Sequence, residues 1–229
     1  MFLKSADSPF IASSKMYMSL PLTKSSTNTV FTSDSNTMTK KETLINQIHN
    51  YVPFNEQEEK DKALILECLE KYDDIFTRDN KLAHMTASCW ILDNEKKHVL
   101  MCYHNIYNSW SWLGGHADGE EDLLSVCVKE AKEESSLKNV EPLSYDIFSL
   151  EVLTVDGHIK KGKYVSSHLH LNVTYLLTAD IHDKLHIKAD ENSGVKWFTF
   201  DEALKASSEP WFVRNIYSKL NEKVKKIIC

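Results

Sequence analysis

The chain has 229 residues, 42% of them hydrophobic and 26% charged, with a net charge of −6. That is enough for one large domain or a domain with an extension, and no apolar run reaches the roughly 18 residues of a membrane-spanning helix. The acidic balance, with Arg78 and Arg214 as the only arginines, argues against a broad nucleic-acid-binding face. Five scattered cysteines, none in a C-x-x-C pair, argue against a secreted disulfide framework and for reduced thiols in a cytoplasmic protein.

Residues 1–37 hold nine Ser and five Thr and show no lasting hydrophobic periodicity. Such a composition buries too little surface to offset its ordering entropy, so the segment is expected to be disordered, with the functional protein starting near Met38. Leu44, Ile45 and Ile48 predict a helix over 40–51. Asn55 followed by Glu58 predicts an N-cap with reciprocal capping. The next helix carries Leu64, Ile65, Cys68, Leu69 and Tyr72 on one stripe. Two such short helices are expected to dock on the rest of the domain.

From residue 84 the pattern changes. Thr86–Leu92 and His98–Tyr103 read as strands around a turn at Asp93–Lys96. A helix is predicted over 122–136, and strands over much of 143–155 and 164–178. In the latter, Leu169, Leu171, Val173 and Tyr175 alternate with His168, His170, Asn172 and Thr174. A short strand at Val195–Phe200 and helices at Asp201–Ala206 and Trp211–Lys226 complete the chain. Strands and helices mix without a repeating βα unit, which predicts an α+β fold or α/β/α layers.

The chain has six glycines, and three of them, Gly114, Gly115 and Gly119, lie within six residues. Clustering of a scarce residue marks a loop with special backbone needs. On the helix after that loop, Glu130, Glu133 and Glu134 stand at i, i+3 and i+4 and converge on one face. Like charges at that spacing repel, and a hard cation such as Mg²⁺ or Mn²⁺ resolves the repulsion. A solvated acidic helix face is the competing reading, with Lys129 and Lys132 as partial neutralisers.

The wider pattern runs from Gly115 over five residues to Glu121, then over seven to Lys129-Glu130-Ala131-Lys132-Glu133-Glu134 and Ser135-Ser136-Leu137. It resembles the Nudix hydrolase (MutT-like) signature G-x5-E-x7-R-E-U-x-E-E-x-G-U. Lys129 stands for Arg, Ala131 for a bulkier aliphatic residue and Ser136 for Gly. Trp110-Ser111-Trp112-Leu113-Gly114-Gly115 resembles the family's W-x-x-P-G-G, with Leu113 for Pro. The resemblance covers about residues 84–206. It implies a Nudix-type α/β/α sandwich with a mixed sheet, here preceded by a short helical extension.

The resemblance also implies Mg²⁺- or Mn²⁺-dependent hydrolysis of a diphosphate in a small molecule such as a nucleoside diphosphate derivative. Glu130, Glu133 and Glu134, with the Gly115 carbonyl, would hold the metal. Glu121 would support the cluster, and Lys129 would replace the orienting Arg. Glu134 is the first candidate base, and Asp190 or Glu191 the second. His116, inside the glycine loop, and His168 with His170, sharing a strand face, are candidate substrate contacts beside Glu191. A nucleotide-binding module with weak turnover is the alternative function. An isomerase-like relative would need a reactive cysteine such as Cys89 or Cys102. No stable nucleic-acid partner and no membrane association are expected, and a homodimer is compatible with the sequence.

Overall fold

A computed structural model describes residues 38–160, 162–188 and 192–228. The Ser/Thr-rich segment 1–37 lies outside the described residues.

Helix α1 (Lys40–Asn50) begins with a complete capping box between Thr39 and Glu42. Helix α2 (Glu56–Lys71) has half of the expected box: Asn55 accepts from the Glu58 N–H at 3.0 Å. The Glu58 carboxylate reaches back past the cap residue instead, accepting from the Phe54 N–H at 2.7 Å, while its other contacts lie in the interior. One face of the pair buries Leu44, Ile48, Ile65 and Leu69 in the same apolar layer as the sheet.

The sheet comes next in the chain. Strand β1 (Ala83–Asp93) and β2 (His98–His104) are longer than the sequence pattern suggests. Two short strands, β3 (Ser109–Ser111) and β4 (Leu113–His116), run through the glycine loop. Helix α3 (Leu123–Ser135) is followed by β5 (Val140–Pro142) and β6 (Ser149–Val155). Residues 143–148, expected to be strand, contain a break instead. A small hairpin, β7 (His158–Lys160) and β8 (Lys163–Val165), leads to β9 (His168–Ala179) and β10 (Asn192–Thr199). Helix α4 (Phe200–Ala206) and the one-turn α5 (Pro210–Phe212) continue through a π-helical turn at Val213–Tyr217 into α6 (Ser218–Ile228). No helix among the described residues is long and apolar enough to cross a membrane.

The main path of the sheet is β10-β2-β1-β9-β5, with β3 on β2, β4 on β1 and β6 on β9. The β1–β9 pair is parallel from Ala83↔Leu169 to Asp93↔Ala179, and the others are antiparallel. This is the mixed sheet of an α/β/α sandwich. Successive strand residues point to opposite faces. On β1, Met85, Ala87, Cys89 and Ile91 join the layer of α1, α2 and α3, while Trp90 and Leu92 join that of α4 and α6.

The second face changes character along its length. Below its apolar layer lies a buried polar network. Asn172 Oδ1 accepts from Thr86 and Ser88, both at 2.9 Å, and Asn172 Nδ2 donates to Glu151 at 2.9 Å. Thr174 donates to Glu151 at 2.8 Å. Lys219 of α6 contacts Glu151 at 3.0 Å and Glu58 of α2 at 3.2 Å, and Lys223 contacts Glu58 at 2.9 Å. Ser149 lies 2.7 Å from Glu58 and also touches Glu151. The polar face of β9, which reads as partly exposed from sequence, is thus buried at Asn172 and Thr174.

Burial alone would raise the Glu58 pKa. The charges of Lys219 and Lys223, with hydrogen bonds from Tyr51 and Phe54, instead take it from 4.5 to about 2. Burial would lower the Lys219 pKa, and Glu151 and Glu58 raise it. At Lys223 burial outweighs the pull of Glu58, and its pKa falls. The deeper Lys219 is therefore the principal counter-charge. Lys219→Met should cost about 3–5 kcal/mol, because it strands buried carboxylates, and the urea midpoint will show it. A depressed carboxylate pKa contributes stability above 4.5 that is lost as pH falls toward 2. Glu58→Gln should therefore flatten the acid limb of a stability-versus-pH curve.

Candidate active site

Helix α3 is capped by Asp122, whose carboxylate accepts from the Ser125 N–H at 3.1 Å. Its apolar side, with Leu123, Val126, Cys127 and Ala131, seats it on β1 and β4. That seating carries the glutamates to the glycine loop. Glu134, only 3% exposed, accepts from the Gly114 N–H at 2.9 Å. Glu130 lies against Gly115: a Cβ there would sit 2.6 Å from Glu130 Cδ. At Gly114 a Cβ would collide with the Ala87 carbonyl across the strand. Each glycine thus has a steric reason, one toward the sheet and one toward a carboxylate.

Glu133 is the exposed member. Lys129 approaches it at 3.8 Å on the helix surface, and Lys188 reaches it at 3.4 Å. The Lys129 pair is an exposed i,i+4 contact of small energy. Glu121 accepts the Lys41 N–H at 3.0 Å at the amino end of α1. That bond ties the signature loop to the helical extension. Lys40 adds an ion pair with Glu120 at 2.7 Å.

The helix ends without glycine. Ser136 itself takes the left-handed conformation, φ 60 and ψ 19, at about 1 kcal/mol or more. The terminal carbonyls find donors beyond the helix: Asn192 Nδ2 bonds Glu134 O at 3.0 Å, and the His186 N–H bonds Ser135 O at 3.0 Å. Asp190 and Glu191 lie outside the described residues.

His116 comes directly after Gly115, yet strand alternation turns it to the opposite face of the sheet. It pairs with Thr86 across β4 and β1. There its ring meets those of His84 and His170, which in turn contact His168, with centroids 4.8–5.1 Å apart in each contacting pair. The structure therefore separates the sequence candidates into two groups, glutamates on one face and histidines on the other. His84 is not singled out by the sequence. Its signal, a histidine opening an apolar strand, acquires meaning only from its register with His170.

The candidate donors on α3 are of the type a hard divalent cation prefers, although among the described residues the only three ligand atoms within 4.8 Å of one another belong to His84, His168 and His170. They are carboxylate oxygens at helical spacing on α3, against a backbone that a side chain would block. The candidate cysteines do not suit an isomerase nucleophile. Cys89 and Cys102 are fully buried, and burial pushes the Cys89 thiol far up.

A NUDIX domain model matches residues 82–220. The chain belongs to the Nudix family. It is 30% identical over 127 residues to the RNA pyrophosphohydrolase of Pelagibacter ubique (strain HTCC1062), a match spanning 54% of this chain and 79% of the relative. Among solved structures, a NUDIX-family hydrolase from Clostridium perfringens aligns with a TM-score of 0.44 at 23% identity, over 63% of this chain and 97% of that one. The Nudix hydrolase RenU from M. smegmatis aligns with a TM-score of 0.47 at 15% identity, over 63% and 87%. The Nudix match includes the glycine loop and all of α3.

The Gly115–Glu130 contact gives a direct test. Gly115→Ala should push the Glu130 carboxylate aside while leaving the fold intact. Displacement of a catalytic group by about 1 Å costs up to roughly 100-fold in rate. Diphosphatase activity should drop at least about tenfold with little change in melting temperature.

Proposed function

We propose that the protein is a metal-dependent Nudix pyrophosphohydrolase acting on a small nucleoside diphosphate derivative. The observation that carries this reading is the seating of Glu130 and Glu134 against Gly114 and Gly115, with Glu133 open beside them. Glu130, Glu133, Glu134 and the Gly115 carbonyl would hold Mg²⁺ or Mn²⁺. Bound there, such a cation neutralises phosphoryl oxygens and acidifies the attacking water.

The remaining work falls to the chain itself. The rigid helix fixes the carboxylates so that attack and departure stay in line. The Gly114 N–H holds the Glu134 carboxylate in one orientation. Glu134 is the proposed acceptor of the water proton, and its burial shields that transfer from bulk solvent. Glu121 supports the site through the loop it anchors to α1, and Lys129 contributes charge near Glu133 rather than a bidentate fork.

The test is phosphate release from a panel of nucleoside diphosphate derivatives, with an RNA bearing a pyrophosphate end included because of the Pelagibacter relative. Turnover should require Mg²⁺ or Mn²⁺. Glu134→Gln should lower kcat by about 10²–10⁴-fold without unfolding the protein. Folded protein that binds a panel member and turns over none of them would replace this reading with a nucleotide-binding module.

A further inference from the structure

The four histidines on the far face of the sheet form a second chemical site. They come from three strands: His84 opens β1, His116 closes β4, and His168 and His170 open β9. The β1–β9 register sets His84 directly beside His170. The i, i+2 spacing on β9 turns His168 and His170 the same way. One ring nitrogen from each of His84, His168 and His170 lies within 4.8 Å of the other two.

The hydrogen bonds define what these nitrogens can do. His84 Nδ1 lies 3.2 Å from the Asn80 carbonyl, and His168 Nδ1 lies 2.8 Å from the Ser166 carbonyl. A carbonyl only accepts, so each Nδ1 carries its proton. In a neutral ring the lone pair is then on Nε2. The Nε2 of His84 is buried and finds no hydrogen-bond partner among the described residues. The Nε2 of His168 accepts from the Nε2–H of His170 at 3.3 Å, so His170 must carry its proton on Nδ1 when its Nε2 binds a metal.

Burial, reinforced by neighbouring positive charge, disfavours the charged form of His84, His116 and His170. It lowers the pKa of His84, takes His116 to about 3 and takes His170 to about 2. Two of the three converging imidazoles, His84 and His168, are oriented by carbonyls at their outer nitrogens, as the supporting shell of a ligand set would orient them. With Zn–N bonds of 2.0–2.1 Å, two nitrogens on a tetrahedral ion stand roughly 3.4 Å apart. The His168–His170 separation already matches that edge. The His84 nitrogen lies within 4.8 Å of both, so a shift of at most roughly 1.4 Å brings it to the same edge length.

We propose that His84, His168 and His170 bind a first-row transition dication of the Zn²⁺ class, at a site separate from the carboxylates of α3. Imidazole nitrogen selects such ions over Mg²⁺, which prefers oxygen. Three protein ligands leave one coordination position open. The His116 ring packs against two of the three, 4.8 Å from the His170 ring and 5.1 Å from the His84 ring. The open position admits water or an oxygen of a bound molecule. Unlike the glutamate site, the histidine site needs no diphosphate hydrolysis to be occupied.

The experiment uses the full chain, free of any polyhistidine tag, titrated with Zn²⁺ and Co²⁺ in the absence of substrate. One tight equivalent is expected, with Co²⁺ giving a tetrahedral visible spectrum and X-ray absorption showing imidazole scattering around bound Zn²⁺. His168→Gln and His170→Gln should each weaken that equivalent at least about tenfold, while Glu133→Gln leaves it unchanged. Circular dichroism checks that each variant is folded. The absorption spectrum of the unmutated protein decides the question if a histidine variant fails to fold. An oxygen-only shell, loss of binding in Glu133→Gln, or folded protein that takes up no stoichiometric metal would each overturn the proposal.

Discussion

The parallel pairing of β1 with β9 decides which side chains in this protein can meet. Eleven residues of β1 are matched one to one with β9, from Ala83↔Leu169 to Asp93↔Ala179. Because side chains alternate, this one register sorts the centre of the molecule into two faces. The odd-numbered face of both strands receives α1, α2 and α3. The even-numbered face carries, in order along the strands, a histidine cluster, a hydrogen-bonded polar network and an apolar layer under α4 and α6. A slip of one residue would exchange those faces and destroy both the seat of α3 and the convergence of the histidines.

The polar network has a cost and a use. Glu58, Glu151 and Lys219 are withdrawn from water, and each must be compensated by partners in the interior. Those partners come from parts of the chain far apart in sequence. Glu58 belongs to α2, Glu151 to β6 and Lys219 to α6. The network therefore specifies how the helical extension and the last helix dock, which a greasy contact alone would specify less sharply. The Glu121 bond to the start of α1 extends the same logic to the signature loop, since it couples the loop's position to the docking of the extension.

Two departures from the Nudix pattern find their physical resolution in the fold. Ser136 accepts a left-handed backbone usually left to glycine, and donors from Asn192 and His186 satisfy the exposed end of α3. Lys129 cannot provide a guanidinium fork, but the glutamates do not rely on it alone. Gly114 orients Glu134 through its amide, and Lys188 joins Lys129 at Glu133. Both substitutions leave the carboxylate frame standing.

Much of the glutamate site is legible in the sequence because its geometry is local. A helix repeats every 3.6 residues, so Glu130, Glu133 and Glu134 share a face in whatever fold contains them. The capping residues Thr39, Asn55 and Asp122 and the alternation of β9 act over a few residues in the same way. Strand registers, by contrast, join segments far apart in the chain and leave no periodic trace. Only the tertiary structure could set His84 beside His170, turn His116 away from Gly115's partner Glu130, bury Asn172 and Thr174, and give Glu58 its buried partner Lys219. Local backbone geometry determined the first group, and the burial of one sheet between two helical layers decided the second.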